Sequence, residues 1–190
     1  MNKIQIIVNN GAGTGSAVAV WKETKEYLQE NGISYNAYLT RYEKHAVKLA
    51  GQICGKIPEG PIYLLVVGGD GTINEVLNGI TDFDRVRLGV IPTGSGNDFA
   101  RNLGILRDTR EDLREITACI DQEQNGEKLQ RIDLGKVSWK GCEKPRIFGI
   151  SAGAGLDAIV CKKALHSKLK KILNRFHLGK LTYLMLTVQT

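Results

Sequence analysis

The sequence contains no apolar run that approaches the length of a membrane-spanning helix, which needs about 18 to 20 consecutive apolar residues. The apolar stretch Ile4–Val8 is also too short for the core of a signal peptide. We therefore interpret that stretch as a first strand and expect a cytoplasmic protein. With 190 residues and an apolar fraction of 42%, the chain is long enough for one α/β domain and part of something else.

Closely spaced cysteines are also missing. The sequence has no C-x-x-C pair, so its spacing is not typical of a zinc site or of a disulfide framework. We expect free thiols in a reducing compartment. The four cysteines are Cys54, Cys119, Cys142 and Cys161.

Two common nucleotide-binding motifs are absent. No segment reads G-x-x-x-x-G-K-[ST], so there is no P-loop lysine. The segment Gly11-x-Gly13-x-x-Ser16 is close to the dinucleotide fingerprint, but the predicted second strand ends at Leu39-Thr40-Arg41, without the acidic residue that would bind a ribose. A hydride-transfer enzyme is therefore disfavoured.

Acidic residues are missing from the end of the chain. No Asp or Glu follows Asp157, whereas seven cations do, which leaves −1 of the net charge of +6 for residues 1–157. A nucleic-acid-binding protein would spread its cations over the fold, so we expect no nucleic-acid partner. These cations are Lys162, Lys163, Lys168, Lys170, Lys171, Arg175 and Lys180.

The same basic segment has apolar residues at helical spacing. Such a helix can lie on an anionic membrane surface, or it can pack on its own domain with a solvated lysine face, and the sequence leaves both open. Its apolar positions are Leu165, Leu169, Ile172, Leu173 and Phe176.

Strand-like and helix-like segments alternate over residues 1–130, which predicts a parallel sheet with flanking helices. After residue 130, two β-like runs, Leu129–Trp139 and Arg146–Ala152, are joined by a segment typical of a hairpin. We predict an α/β domain over 1–130 and the beginning of a β-rich second domain over 131–190. Predicted strands cover 3–9, 33–39, 62–67 and 86–91, and predicted helices cover 16–29, 44–54, 73–80, 99–103 and 109–121.

The most informative motif is Gly68-Gly69-Asp70-Gly71-Thr72, which links a buried apolar strand to a helix. Three glycines in four positions expose backbone N–H groups and a helix N-terminus to an anion, most plausibly a phosphate. A carboxylate inside this turn would repel a bare phosphate. Asp70 therefore predicts a cation or a transferable proton between the two, since the neighbouring sequence offers it no evident structural partner.

Two further glycine-rich turns, residues 9–16 and 93–98, also follow predicted strands. In a parallel sheet all three turns would lie at one carboxyl edge, where open α/β sheets bind ligands. Asp70, Asp98 and Asp133 lie at or near predicted strand ends, and such carboxylates can hold Mg²⁺ partly through water for phosphoryl transfer. Alternatively, Asp98 is the N-cap of a helix that begins at Phe99, and Asp133 belongs to a structural turn or ion pair.

Four other polar residues are candidates for capping, surface or ligand-binding roles. Asn74 caps its helix or contacts a nucleotide, and Glu75 is a first-turn acid that faces the dipole of its own helix. His45 is a surface or capping residue at a helix start. Arg101 reaches a phosphate or lies on a solvated helix face.

Two segments, 68–76 (GGDGTINEV) and 91–101 (IPTGSGNDFAR), resemble the catalytic domain of the diacylglycerol kinase and bacterial lipid kinase family. This family is related to sphingosine kinases. The more distant NAD kinases and phosphofructokinases share only the Gly-Gly-Asp-Gly of the first motif. The resemblance covers residues 3 to about 157. One departure is that Asn9 is followed by Asn10 and Thr14-Gly15, where the family usually has Asn-Pro before Ser-Gly.

The resemblance implies an ATP-dependent lipid kinase that transfers the γ-phosphoryl group to a lipid hydroxyl, such as that of diacylglycerol, to give phosphatidic acid. It implies Asp70 as a catalytic residue, and Asp70, Asp98 and Asp133 as the carboxylates of a Mg²⁺ and water network. The residues that would contact ATP are Asn9, Thr40, Gly68, Gly69, Asp70, Gly71, Thr72, Ile73, Asn74 and Thr93.

The family continues for roughly a hundred residues through a β-rich domain that holds the lipid site and an acidic general base. We therefore expect the 190-residue polypeptide to bind nucleotide and to phosphorylate lipid poorly by itself. The expected partner is a lipid substrate at an anionic membrane surface, visited peripherally, and a homodimer is left open. The alternatives are a kinase of a soluble substrate such as NAD, and a catalytically inactive nucleotide- or membrane-binding module.

Overall fold

The computed structural model of the chain describes residues 3–11, 16–105, 108–127, 129–155 and 158–159. Within these ranges the strands are β1 (Ile4–Val8), β2 (Tyr35–Leu39), β3 (Ile62–Gly68), β4 (Val86–Pro92), β5 (Gly135–Val137) and β6 (Arg146–Phe148). The helices are α1 (Ser16–Glu30), α2 (His45–Lys56), α3 (Asp70–Leu77), α4 (Asp98–Asn102) and α5 (Thr109–Gln124).

The first four strands form a parallel sheet in the order β2-β1-β3-β4. Every residue of β1 and β3 is buried, as expected for parallel strands covered on both faces. The predicted α/β fold with a parallel sheet and flanking helices is therefore confirmed. The predicted element positions agree with the structure to within a few residues.

Side chains that alternate along the strands form one core on each face of the sheet. Ile7, Leu64 and Val66 pack with residues of α2 and α3 on one face. Ile6, Leu65 and Val67 pack with residues of α1 and α5 on the other. This arrangement leaves the strand ends, rather than the sheet faces, free for other contacts.

The predicted hairpin is present, since β5 and β6 pair in antiparallel register, but the paired strands are shorter than the predicted runs. Three residue pairs are joined, from Gly135 with Phe148 to Val137 with Arg146. Asn78, just after α3, joins the hairpin to the helices of the parallel sheet. Its amide donates to the carbonyl of Ile147 at 2.8 Å, and its carbonyl accepts from the Ile147 N–H at 2.9 Å.

The chain divides into two compact units, Met1–Ile150 and Ser151–Thr190, and every helix and strand named above lies in the first. The predicted domain boundary between residues 130 and 131 stays a prediction. The basic segment with its amphipathic pattern, and residues 12–15 of the first glycine-rich turn, lie outside the described residues.

Across the described part of the chain, no helix has the length and apolarity that crossing a membrane would require. Cys54, Cys119 and Cys142 are free thiols, which confirms the expectation for these three cysteines. The fourth, Cys161, is outside the described residues.

Candidate functional site

The carboxyl ends of β1, β3 and β4 lie side by side. Val8 pairs with Val67, and Gly68 pairs with Pro92, so that the residues following each strand meet at one edge. The predicted convergence of the three turns is confirmed for their described residues. Thr93 follows β4 directly, and its N–H donates to the carbonyl of Gly68 at 3.1 Å.

Asn9 connects the end of β1 to the start of α3. Its side-chain amide donates to the Thr72 hydroxyl at 2.8 Å, and its carbonyl oxygen accepts from the N–H of Gly11 at 3.1 Å. Thr72 is itself buried. The predicted site residues Asn9 and Thr72 are therefore in direct contact, and each fixes the orientation of the other.

Asp70 has structural partners, contrary to the expectation from sequence. Its Oδ2 accepts from the N–H of Asp98 and its Oδ1 from the N–H of Phe99, both at 3.1 Å. The carboxylate thus caps the first turn of α4 and holds the turn after β4 against the turn after β3. These partners lie 28 and 29 residues along the chain, so local sequence could not reveal them. A carboxylate has about four acceptor positions, so two remain for other donors or a cation.

Asp98 is not the N-cap of a helix that begins at Phe99. The helix begins at Asp98 itself, and the N-cap is Asn97, which adopts a left-handed backbone with φ 53°. The Asp98 carboxylate is exposed and pairs with Arg101 at 2.7 Å. Arg101 also donates to the carbonyl of Gly96 at 2.8 Å. The side chains of Asp98 and Arg101 therefore stabilise the turn that precedes α4.

The glycines of the central turn differ in what surrounds them. A Cβ on Gly68 would lie 2.7 Å from the Cβ of Thr72, and one on Gly69 would lie 3.0 Å from the Cα of Gly94. These two positions require glycine because other atoms of the protein are too close. A Cβ on Gly71 would meet no atom of the described residues within 4 Å. Packing therefore gives no reason for glycine at position 71, whereas the approach of a ligand to the backbone would.

Thr93 supplies a buried hydroxyl at the same edge. The residue is 5% exposed, and its Oγ1 has no hydrogen-bond partner among the described parts of the protein. Buried hydroxyls are normally paired, since an unpaired one costs roughly 1–3 kcal/mol. The N–H of Thr93 bonds to Gly68, so this buried hydroxyl, unpaired among the described residues, belongs to the same edge as the glycine-rich turn and fits a site that receives a polar ligand.

The remaining predicted nucleotide contacts lie in different surroundings. The N–H of Thr40 donates to the carbonyl of Val8 at 2.9 Å, which fixes Thr40 beside the end of β1. Ile73 is 2% exposed and belongs to the core. Asn74 donates to the carbonyl of Ile147 at 3.3 Å, so its amide faces the hairpin. Direct contact of these three residues with ATP stays a prediction.

The interpretation of Glu75 as a first-turn acid that faces the dipole of its own helix is wrong. The carboxylate does not face the N-terminus of its own helix. Instead, Oε1 accepts from the N–H of Lys44 at 3.0 Å and Oε2 from the N–H of Ala46 at 3.2 Å, at the start of α2. The available signal was that no Ser, Thr, Asp or Asn precedes α2, so that its cap had to come from elsewhere.

The other titratable candidates have local partners. His45 Nδ1 accepts from the N–H of Arg41 at 3.1 Å, and its ring stacks on that of Tyr42 with 4.3 Å between centroids. Asp133 is exposed.

Among the described residues no group of three or more His, Cys, Asp or Glu side chains could hold a metal ion. Asp70 and Asp98 are thus brought together, whereas the described part of the chain does not form a cage of three protein carboxylates.

The family model of the diacylglycerol kinase catalytic domain matches residues 3–137, which include every predicted site residue. The chain is 32% identical over 180 residues to YtlR of Bacillus subtilis, a protein named as a lipid kinase, and covers 55% of it with 93% of its own length. It is 36% identical over 144 residues to the diacylglycerol kinase of the same organism, with 73% of this chain and 41% of that protein aligned.

A solved structure titled as a diacylglycerol kinase from Bacillus anthracis is also similar. Its TM-score is 0.51 with 28% identity, over 61% of this chain and 39% of that one. This chain therefore spans about half the length of the curated relatives it matches.

Proposed function

Because the chain belongs to the diacylglycerol kinase catalytic domain family, we propose that it is the nucleotide-binding part of a kinase that transfers the γ-phosphoryl group of ATP to a lipid hydroxyl. The observation that carries this proposal is the edge formed after β1, β3 and β4. There, as far as the described residues show, the hydroxyl of Thr93 is unpaired and lies close to a turn whose Gly71 has open space around its Cα. Diacylglycerol is the acceptor we propose, with phosphatidic acid as product.

The residues present fit a triphosphate. The N-terminus of α3 favours an anion, and the open space at Gly71 allows a phosphate to approach the backbone. Thr93 would donate its hydroxyl to the bound nucleotide, while Asn9 and Thr72 keep the start of α3 in place through their mutual hydrogen bond. Positioning and electrostatics of this kind supply most of the catalysis in phosphoryl transfer.

The same edge could hold Mg²⁺ with the kind of ligands that nucleotide sites usually provide. Mg²⁺ in such sites binds through one or two carboxylates, water and the phosphates rather than through an all-protein cage. Asp70, with two acceptor positions left by its backbone hydrogen bonds, is the carboxylate we propose to balance that cation. When bound, the cation would neutralise charge on the phosphates, and Asp98 lies next to Asp70 to support it.

Calorimetric titration of the chain with ATP, with and without Mg²⁺, tests the nucleotide site. We expect Mg²⁺ to strengthen binding in the wild type, and Asp70→Asn to reduce that enhancement about tenfold or more while affinity without Mg²⁺ changes little. Since Asp70 also caps α4, the unfolding temperature of the variant is measured in parallel. Failure of the wild type to bind ATP with Mg²⁺ would refute the proposal.

The acceptor is proposed to lie at an anionic membrane surface. Support comes from the sequence after Asp157, where seven cations occur without any acidic residue. Because the 190 residues alone are expected to transfer poorly, this step is tested with a version of the protein extended to the length of its relatives. Transfer of label from γ-labelled ATP to diacylglycerol in mixed micelles is compared with transfer to NAD. Label in phosphatidic acid supports the proposal, and label only in the soluble product contradicts it. Binding of ATP without transfer to either acceptor would favour an inactive nucleotide-binding module.

A further inference from the structure

Helix α2 begins without a cap from its own segment. Its N-cap residue, Lys44, has a left-handed backbone with φ 66° and makes no side-chain capping hydrogen bond. The first turn of the helix contains no acidic residue. The free N–H groups at a helix start need an acceptor, and a negative charge there is favourable. The acceptor for α2 has to come from another element.

Glu75 of α3 is that acceptor. Its two carboxylate oxygens accept from the N–H groups of Lys44 and Ala46, as described above, and the residue is half-buried. Hydrogen bonds from N–H groups to an ionised carboxylate are stronger than those to a neutral acceptor. One side chain therefore fixes the residue at which the chain leaves the β2–α2 loop (Thr40–Lys44) and enters α2.

The β2–α2 loop is also fixed at its other end. The N–H of Thr40 bonds to the end of β1, and the N–H of Arg41 bonds to His45. The Tyr42 ring, 59% exposed, stacks on His45. The loop is therefore a short ordered segment whose position depends on where α2 begins.

Helix α3, which carries Glu75, begins at Asp70, within the glycine-rich turn. Gly71 and Thr72 precede Glu75 by four and three residues, which places them on the same side of α3. The chain just after α3 is in close backbone contact with α2, because a Cβ on Gly79, two residues beyond the end of α3, would overlap the carbonyl oxygen of Val47 in α2. Glu75 thus sets the β2–α2 loop at a fixed place relative to the turn.

We propose that Glu75 is a positioning residue of the nucleotide site, an inference that rests on the proposed function. By capping α2 it holds the β2–α2 loop beside the glycine-rich turn. The turn receives the phosphates, and the loop meets the part of the nucleotide that extends beyond them. Glu75 itself does not touch the ligand.

The test compares Mg²⁺–ATP with Mg²⁺–tripolyphosphate by calorimetry, well below the unfolding temperature. Glu75→Gln keeps one acceptor oxygen but places an amide N–H₂ opposite the second backbone N–H. We expect this variant to bind ATP about tenfold more weakly and tripolyphosphate less than about twofold more weakly. Amide hydrogen exchange should become faster at Lys44 and Ala46.

The matched control is Glu59→Gln, which removes the same charge from an exposed residue in the loop before β3. It should leave both affinities at wild-type values. If Glu75→Gln does not fold, Glu75→Asp is used, since it keeps the charge with a shorter reach and should give a smaller loss in the same direction.

Three outcomes overturn the inference. A wild type that binds neither ligand refutes the proposed function and the inference with it. Wild-type affinities in a Glu75→Gln variant whose unfolding temperature falls would mean that Glu75 only stabilises α2. Equal losses for ATP and tripolyphosphate would mean that Glu75 acts through the glycine-rich turn and not through the β2–α2 loop.

Discussion

At both ends of the parallel sheet the chain must turn sharply, and different residues occupy the left-handed positions at the two ends. Before β2 and β3, at the amino ends of the strands, these positions are Gly32 (φ 64°) and Gly60 (φ 75°). After β2 and β4, at the carboxyl ends, they are Lys44 (φ 66°) and Asn97 (φ 53°). A left-handed conformation costs a residue with a side chain roughly 1–2 kcal/mol. Backbone strain therefore occurs at the end that carries the candidate site, as is common for functional regions.

The two ends of the sheet also differ in how their polar side chains are paired. At the amino end, Arg85 donates to the carbonyls of Ile57 and Gly60, and Arg87 pairs with Glu123 beside the buried Tyr63. These groups bind one another and the backbone. At the carboxyl end, two buried side-chain oxygens, those of Asn10 and Thr93, have no hydrogen-bond partner among the described residues, compared with one carboxylate oxygen of Glu123 at the amino end. The comparison indicates that the amino end is built for stability and the carboxyl end for a ligand.

The largest expected change in stability comes from replacing a glycine of the central turn by alanine, and two of these glycines should respond in opposite directions. Gly68→Ala should destabilise the protein by about 2–3 kcal/mol, because its Cβ would lie 2.7 Å from that of Thr72. Gly71→Ala should stabilise it by about 0.5–1 kcal/mol through helix propensity, because nothing is in the way. Urea denaturation measures both values, and calorimetry should show weaker ATP binding for Gly71→Ala.

Gly55→Ala, in α2 with nothing within 4 Å, is the control for helix propensity alone. It should stabilise the protein without any change in ATP affinity. Unchanged ATP binding in Gly71→Ala would mean that the open space at position 71 is not part of a nucleotide site.

An intermediate effect is expected at the amino end, at Tyr63. Burial, and then the hydrogen bond with Glu123, raise the pKa of this phenol above its ordinary value of about 10. The unfolded chain therefore loses the proton at lower pH than the folded protein, so stability falls as pH rises above about 10. Tyr63→Phe should cost about 1 kcal/mol at pH 7 and should remove part of that alkaline loss.

Unfolding free energies across the alkaline range, for the wild type and Tyr63→Phe, provide the measurement. Tyr35→Phe serves as the control, because Tyr35 is only half-buried and packs edge-on against Trp21. Identical alkaline slopes for the wild type and Tyr63→Phe would contradict the assignment of that loss to Tyr63.

The smallest effect tests the strain at the carboxyl end. Lys44→Gly should stabilise the protein by about 0.5 kcal/mol, because glycine adopts φ 66° without a steric penalty, although it loses more entropy on folding. Lys48→Gly, inside α2, should instead destabilise it by about 1 kcal/mol. Thermal unfolding of both variants provides the comparison, and a loss of stability in Lys44→Gly would show that Lys44 is not strained.

The order of helices and strands could be predicted from sequence because the apolar periodicity of each segment is local. Gly68 to Thr72 could be assigned to a turn at the sheet edge for the same reason. The partners of Asp70 and Glu75 could not, since the groups they cap lie about 30 residues away and meet only after α2, α3 and α4 have packed. The hairpin was overestimated in length because β propensity in 129–139 does not specify how many residues find a partner strand.

The strand order has a consequence for how the chain is made. β1 is the first strand in sequence, yet it is an inner strand of the sheet, between β2 and β3. During synthesis one edge of this buried strand can be covered by β2 early, while the other stays without its partner until residues 62–68 leave the ribosome. A ribosome that pauses between residues 40 and 60 would therefore leave an unprotected strand edge, the kind of surface on which nascent chains associate.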